Sequence, residues 1–160
     1  RVTQMAEELS KKFQNKDPVF LGVLNGSFIF LADLIRHLSI NCDVDFVQLK
    51  SYVGMATSGE VKILKDISFD LKNRDVVIVE DIIETGITLN YLKKMIDGYR
   101  PNSVTIVTLL KKNIRTTFNF KIDMIGFEIS KDFVVGYGLD YEQKYRNLGG
   151  IYRLLINKPK

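Results

Sequence analysis

The run Val76-Val77-Ile78-Val79 constrains this chain more than any other segment. Four consecutive β-branched residues favour an extended backbone. Because apolar and polar residues do not alternate, both faces of that strand are buried, which is the position of a central strand in a parallel sheet. The rest of the chain supplies the layers such a strand needs. Val2, Met5, Ala6, Leu9 and Phe13 fall at helical spacing and predict an amphipathic helix, stopped by Pro18. Val19 to Leu24 reads as a buried strand, and Asn25-Gly26-Ser27 turns it into a second helix from Phe28 to Leu38. Strands are expected at Val44 to Leu49, Val61 to Ile67, Ser103 to Leu110, Ile122 to Ile129, Phe133 to Val135 and Ile151 to Ile156. Strand and helix alternate, so the class is α/β with a mostly parallel central sheet flanked by helices.

Composition narrows the function. The 160 residues suit one domain over 1–160, and an opening Arg1 in place of methionine leads us to expect that earlier residues are missing. Hydrophobic residues at 46% exclude intrinsic disorder, and no apolar run is long enough to span a membrane. One cysteine, Cys42, and one histidine, His37, exclude a disulfide framework and an all-protein zinc cage, and suit a reducing, cytoplasmic compartment. His37 follows Leu34 and Ile35 in an apolar helical stretch and reads as a helix-end residue, not a base. The net charge of +4 suits an anionic ligand, but no contiguous basic tract offers a nucleic-acid groove.

The central strand ends at Glu80-Asp81 and passes through Ile82-Ile83-Glu84-Thr85-Gly86-Ile87-Thr88 into a helix with Ile87, Tyr91, Met95 and Tyr99 at four-residue spacing. Neither GxGxxG nor the GK[ST] of a P-loop is present. Yet a strand, Thr-Gly-Ile-Thr and a helix start bring together free backbone N–H groups, a glycine for close approach and two hydroxyls, which is a phosphate site. Adjacent acids would repel a phosphate placed on them. They make sense a short distance away, accepting hydrogen bonds from sugar hydroxyls, so the ligand inferred is a phosphorylated sugar. Alone, the threonines could simply cap the helix; two acids closing a fully buried strand favour a site.

This stretch closely resembles the phosphoribosyl-pyrophosphate motif of the type I phosphoribosyltransferases. Over nearly the whole chain the resemblance extends to the hypoxanthine (hypoxanthine-guanine) branch. Gly22-Val-Leu-Asn-Gly-Ser-Phe-Ile-Phe-Leu-Ala-Asp33 is similar to that family's pyrophosphate loop and following helix, and Lys50-Ser51-Tyr52 to the start of its mobile lid, here the loop Ser51 to Glu60. Leu110-Lys111-Lys112 resembles its purine-contacting strand end. Ile125-Gly-Phe-Glu-Ile129, Phe133-Val-Val-Gly-Tyr-Gly-Leu-Asp-Tyr141 and Tyr145-Arg146 resemble its C-terminal purine and pyrophosphate segments. The resemblance implies that fold, with a small hood and a lid. It also implies transfer of ribose 5-phosphate from phosphoribosyl pyrophosphate to hypoxanthine or guanine, giving IMP or GMP and pyrophosphate in purine salvage. Mg2+ would be the cofactor and a homodimer or homotetramer the assembly.

Roles follow from the same resemblance. Glu84 would be catalytic, handling the proton on the purine imidazole. Glu80 and Asp81 would bind the ribose hydroxyls and, with Asp140, the metal. Glu84, Thr85, Gly86, Ile87 and Thr88 would hold the 5-phosphate, and Leu24, Asn25, Gly26 and Arg146 the pyrophosphate. Ser51 and Tyr52 belong to the lid. Ile82, Lys111, Phe133, Val134 and Asp140 would face the purine, with Lys111 donating to its 6-oxo group. The peptide bond inside the pyrophosphate loop is often a non-proline cis bond in this family. Two positions depart from its pattern: Asn25 stands where many relatives carry Lys or Arg, and Glu84 where aspartate is usual. The plainer reading of Glu84 is a helix-dipole contact of roughly 0.3–1 kcal/mol. A second function, from another class, is a regulatory protein of this fold that senses phosphoribosyl pyrophosphate or purines and binds nucleic acid. Lys111, Phe133, Asp140 and the missing basic face favour the enzyme.

Overall fold

The computed structural model describes residues 1–51, 61–114 and 118–155. Helix α1 (Val2–Lys12) precedes strand β1 (Val19–Leu24), helix α2 (Phe28–Arg36), and strands β2 (Asp43–Ser51) and β3 (Val61–Lys65). Strand β4 (Asp75–Ile83), helix α3 (Ile87–Gly98) and strands β5 (Ser103–Lys112) and β6 (Met124–Ile129) follow, then β7 (Val134–Val135) and β8 (Tyr152–Arg153). Six strands form one sheet in the order β3-β2-β1-β4-β5-β6, while β7 and β8 make a separate antiparallel pair. All neighbours in the large sheet are parallel except β2 and β3.

The β-branched run lies where its pattern demands. Val77 and Val79 enter the core beneath α1 and α2, whereas Val76 and Ile78 enter the core beneath α3. All four are fully buried, each side chain worth roughly 1.5–3 kcal/mol of transfer free energy. β1 divides likewise, with Phe20 on the first face and Val19, Leu21 and Val23 on the second. Gly22 is required there, since an added Cβ would lie 2.7 Å from Leu31 Cδ2 and 3.0 Å from Phe46 Cδ1. Parallel alignment of β1, β4 and β5 carries their carboxyl ends, and the loops after them, to one edge of the sheet, where ligands of such folds gather.

Helix α3 differs from its expected stripe. It buries Leu89, Leu92 and Ile96, leaving Ile87, Tyr91 and Tyr99 exposed. Four-residue spacing on one helix selects two possible apolar stripes here, and the all-aliphatic one faces the sheet. The last strands are shorter than expected, two residues each, because the chain between them turns repeatedly. His37 caps the end of α2, its ring bonded to the Asp33 carbonyl at 2.7 Å. Asp45 fastens β2 to β3, accepting from Lys65 Nζ at 2.9 Å and from the backbone N–H of Ser68 at 2.6 Å. The lid expected between Ser51 and Glu60 falls on residues 52–60, outside those described; the backbones of Ser51 and Val61 pair across its base. No helix among the described residues is long and apolar enough to cross a membrane.

Candidate active site

Two adjoining pockets of nearly equal volume, about 220 and 210 Å³, lie beyond the carboxyl ends of the central strands. The first is walled by one run of chain, residue 80 and residues 82–89. Gly86 begins α3 in the left-handed region at φ 70°, and no side chain caps the helix. Thr85 and Thr88 are therefore not caps, which leaves the positive end of the helix open toward the pocket. Gly86 cannot be replaced freely, because a Cβ would meet Phe118 Cδ1 at 2.5 Å.

The second pocket is assembled from five separate segments: Asn25-Gly26, Asp81 with Ile82 and Glu84, Lys112, Phe133-Val134, and Leu139-Asp140 with Arg146. The Leu24–Asn25 peptide bond at its rim is cis. Asn25 Oδ1 accepts from Gln48 Nε2 at 3.2 Å, and the neighbouring Gly26 leaves no room for a Cβ beside the Asp81 carboxylate. Ser27 precedes α2 without capping it, its hydroxyl donating back to the Val23 carbonyl at 2.6 Å. Phe133 packs edge-on against Tyr141 with centroids 5.6 Å apart, and the Lys112 ammonium stands 5.7 Å from the Phe133 ring centre. Arg146 reaches Asp140 and the Gly138 carbonyl, each at 2.7 Å.

Ile82 and Glu84 line both pockets. The Glu84 carboxylate forms an ion pair with Lys112, whose side chain is only 7% exposed. At the base of the site burial holds the Glu80 carboxyl well above the usual range, helped by the adjacent Asp81 charge. Burial also raises Asp81 to about 6, against the lowering effect of the Ile82 N–H, its own N–H and Arg146. Glu80 Oε2 is buried with no hydrogen-bond partner among the described residues. That orphaned oxygen calls for a donor or a hard cation from a ligand.

The model of the phosphoribosyl transferase domain family matches residues 1–142. The hypoxanthine phosphoribosyltransferase of Escherichia coli K12 is 41% identical over 159 residues, covering 98% of this chain and 89% of that protein. The chain belongs to the phosphoribosyltransferase family. A hypoxanthine-guanine phosphoribosyltransferase of Lactococcus lactis subsp. lactis is 47% identical over 146 residues, 91% of this chain and 79% of that one. A crystal structure of a hypoxanthine phosphoribosyltransferase from Staphylococcus aureus superposes with a TM-score of 0.91 at 40% identity, covering 96% and 84% of the two chains. The mostly parallel sheet with its flanking helices is thus the type I phosphoribosyltransferase fold.

Within this phosphoribosyltransferase, one expectation about the site is corrected by a single residue. Lys111 does not line either pocket; it pairs with Glu128 on β6 at 2.9 Å. Lys112 enters the second pocket instead. Strand alternation sends successive side chains to opposite faces, so a one-residue error in reading the strand end moves the cation to the wrong side. Leu24 is also absent from the pocket walls, where Asn25 and Gly26 appear. Among the described residues no group of three or more His, Cys, Asp or Glu could hold a metal, so Glu80, Asp81 and Asp140 are not one ligand set. Asp140 is engaged by Arg146. Several contributors escaped the sequence reading: Lys112, Leu139 and the Gly26–Asp81 contact in the second pocket, and Ile83 and Leu89 in the first. Only the adjacent lysines of Leu110-Lys111-Lys112 signalled Lys112.

Proposed function

We propose that this phosphoribosyltransferase moves ribose 5-phosphate from phosphoribosyl pyrophosphate to hypoxanthine or guanine. The observation that carries the reading is the shared wall: Glu84 and Ile82 stand between a pocket made by a helix start and a pocket floored by an aromatic ring. A nucleotide has the same division, with phosphate at one end, base at the other and the anomeric carbon between. Thr85, Gly86, Ile87 and Thr88 receive the 5-phosphate through the uncapped N-terminus of α3. The orphaned Glu80 oxygen and Asp81 take the ribose hydroxyls. Asn25, Gly26 and Arg146 hold the pyrophosphate, and Phe133 stacks on the purine beside the backbone of Val134.

As the bond to pyrophosphate breaks, the anomeric carbon gains positive charge and the purine nitrogen attacks it. The purine must then shed a proton, and Glu84 is placed to accept it. A 6-oxopurine presents an acceptor to Lys112 and a donor to Glu84, so it satisfies both groups as it separates them. A 6-aminopurine presents Lys112 with a donor and leaves a buried ammonium unpaired. The residues fit magnesium that arrives with the substrate's phosphates and takes few protein ligands: hard oxygens at Glu80, Asp81 and Asp140, one of them orphaned, but no cage. Bound so, magnesium would neutralise charge on the leaving pyrophosphate. Exposed Phe127, Tyr152 and Leu155 suit a homo-oligomer.

Nucleotide formation from phosphoribosyl pyrophosphate tests the assignment with hypoxanthine, guanine, xanthine and adenine, with and without chelator. Turnover of hypoxanthine, adenine slower by a hundredfold or more, and loss of activity on chelation are expected. No turnover of any 6-oxopurine would overturn the reading.

A further inference from the structure

Asp33 and Tyr137 both lie in segments that resemble the family's, yet neither lines either of the two site pockets. Across 104 residues of chain, the Tyr137 hydroxyl donates to Asp33 Oδ2 at 2.5 Å. Asp33 sits on α2, the helix that begins at the Asn25-Gly26-Ser27 loop. Tyr137 sits in the turning segment that carries Leu139, Asp140 and Arg146. The bond therefore joins two separate suppliers of the second pocket.

The backbone around Tyr137 has little reason to hold its shape alone. Gly136, Tyr137 and Gly138 all lie at positive φ, at 95°, 54° and 99°. The glycines adopt this freely, but the tyrosine does so against its own side chain. Such a conformation persists only where its surroundings over-determine it. The surroundings are visible. The Tyr137 N–H donates to the Leu148 carbonyl at 2.8 Å, and the Gly138 N–H to the Arg146 carbonyl at 3.0 Å. Gly138 has no room for a Cβ against the Gly26 carbonyl. Arg146 is then fixed from within the segment by Gly138, Asp140 and Gln143. Those bonds set the guanidinium relative to its own segment; the Tyr137–Asp33 bond sets the segment relative to the pyrophosphate loop. Burial and the Asp33 carboxylate raise the Tyr137 phenol, so it remains a donor through neutral pH. Arg36 lies 3.7 Å from the other Asp33 oxygen.

We propose that Asp33 and Tyr137 are a positioning pair that holds Arg146 over the Asn25-Gly26 loop at the spacing pyrophosphate needs. The inference rests on the pyrophosphate assignment made above and adds to it two residues outside the pocket. Without the bond, Leu139 still anchors the segment in the core, so the fold survives while the two halves lose their register.

The test is calorimetric binding of magnesium pyrophosphate to the full chain, alongside steady-state kinetics and thermal melting. Tyr137→Phe should weaken pyrophosphate binding roughly tenfold and raise the KM for phosphoribosyl pyrophosphate similarly, with kcat changed less than twofold. Asp33→Asn keeps an acceptor oxygen and should recover most of that loss relative to Asp33→Ala. The double variant Tyr137→Phe/Asp33→Ala should lose no more than the worse single one, since both remove one bond. Equal pyrophosphate affinity in wild type and Tyr137→Phe would overturn the proposal. So would additive losses, or a loss tracking melting temperature across all variants. A wild-type protein that binds no pyrophosphate would instead overturn the assignment on which the proposal rests.

Discussion

The two pockets are built in opposite ways. One is a single stretch of backbone, residues 80–89, in which the strand end, the turn and the helix start follow one another along the chain. The other draws on five segments between Asn25 and Arg146, and each depends on another element to hold it in place. A pocket made of consecutive residues is specified locally, by a glycine at φ 70° and an uncapped helix. An assembled pocket is specified by strand register, by a Gly26–Asp81 contact without room for a methyl group, and by a bond across 104 residues. The first should tolerate change elsewhere in the molecule; the second should not.

The largest effect is expected where the pockets meet. Glu84→Gln keeps the shape of the side chain but removes the basic oxygen, so kcat should fall by roughly a hundredfold or more with little change in KM for phosphoribosyl pyrophosphate. Glu84→Asp should retain substantial activity, because the carboxylate persists. If Glu84→Gln turns over at the wild-type rate, the acid serves only the helix dipole and the Lys112 ion pair.

The neighbouring lysines separate the assembled pocket from the surface beside it. Lys112→Gln should cost about 1.5–3 kcal/mol in kcat/KM for hypoxanthine, the value of one charge-assisted hydrogen bond. Lys111→Gln, which breaks a partly exposed pair with Glu128, should stay within about 1 kcal/mol. Kinetics on both variants decide the matter; a larger loss at Lys111 would reverse the assignment.

These lysines also show what the sequence made legible. The β-branched run, the acids closing it and the Thr-Gly-Ile-Thr turn are local signals, and the structure puts them on a central strand and a helix start. The assembled pocket was legible only in part. Asn25, Gly26, Phe133, Val134, Asp140 and Arg146 do converge, but the facing of Lys111 and Lys112 depends on where β5 stops against β6, a register set by tertiary pairing. The stripe on α3 was equally ambiguous, since aromatic and aliphatic residues repeat with the same period and only the sheet decides between them.

Gly26→Ala perturbs the assembled pocket alone. The added methyl group must displace either the Asp81 carboxylate or the loop, and a shift near an ångström should raise KM for phosphoribosyl pyrophosphate roughly tenfold. Gly98→Ala, at the end of α3 with nothing within 4 Å of its Cβ, is the control and should leave kinetics unchanged.

The smallest effect is on stability against pH. Asp81, raised to about 6 by burial, and Glu80, raised by the same cause, bind protons in the folded state that the unfolded chain has already released. Stability of the ligand-free protein should therefore fall as pH rises from about 4 to about 6. Burial pushes Asp45 and Asp75 up, but hydrogen bonds from Lys65 and Ser68, and from Ser103 and Asn102, prevail and hold both below the usual range. Their contribution is complete above about pH 4 and is lost below it. Melting temperature should peak near about pH 4, where the two trends meet, moving about 2–4 °C per kcal/mol. Asp81→Asn should flatten the upper limb only; an unchanged limb would show that Asp81 titrates normally.

A crystal structure of the complex with IMP tests the division of labour most directly. The account predicts the 5-phosphate on the backbone N–H groups of residues 85–88, the base against Phe133 with its 6-oxo group on Lys112, and the Glu84 carboxylate beside the imidazole ring, no longer paired with Lys112. A base turned away from Lys112, or a phosphate seated in the pocket of Asn25 and Arg146, would contradict it.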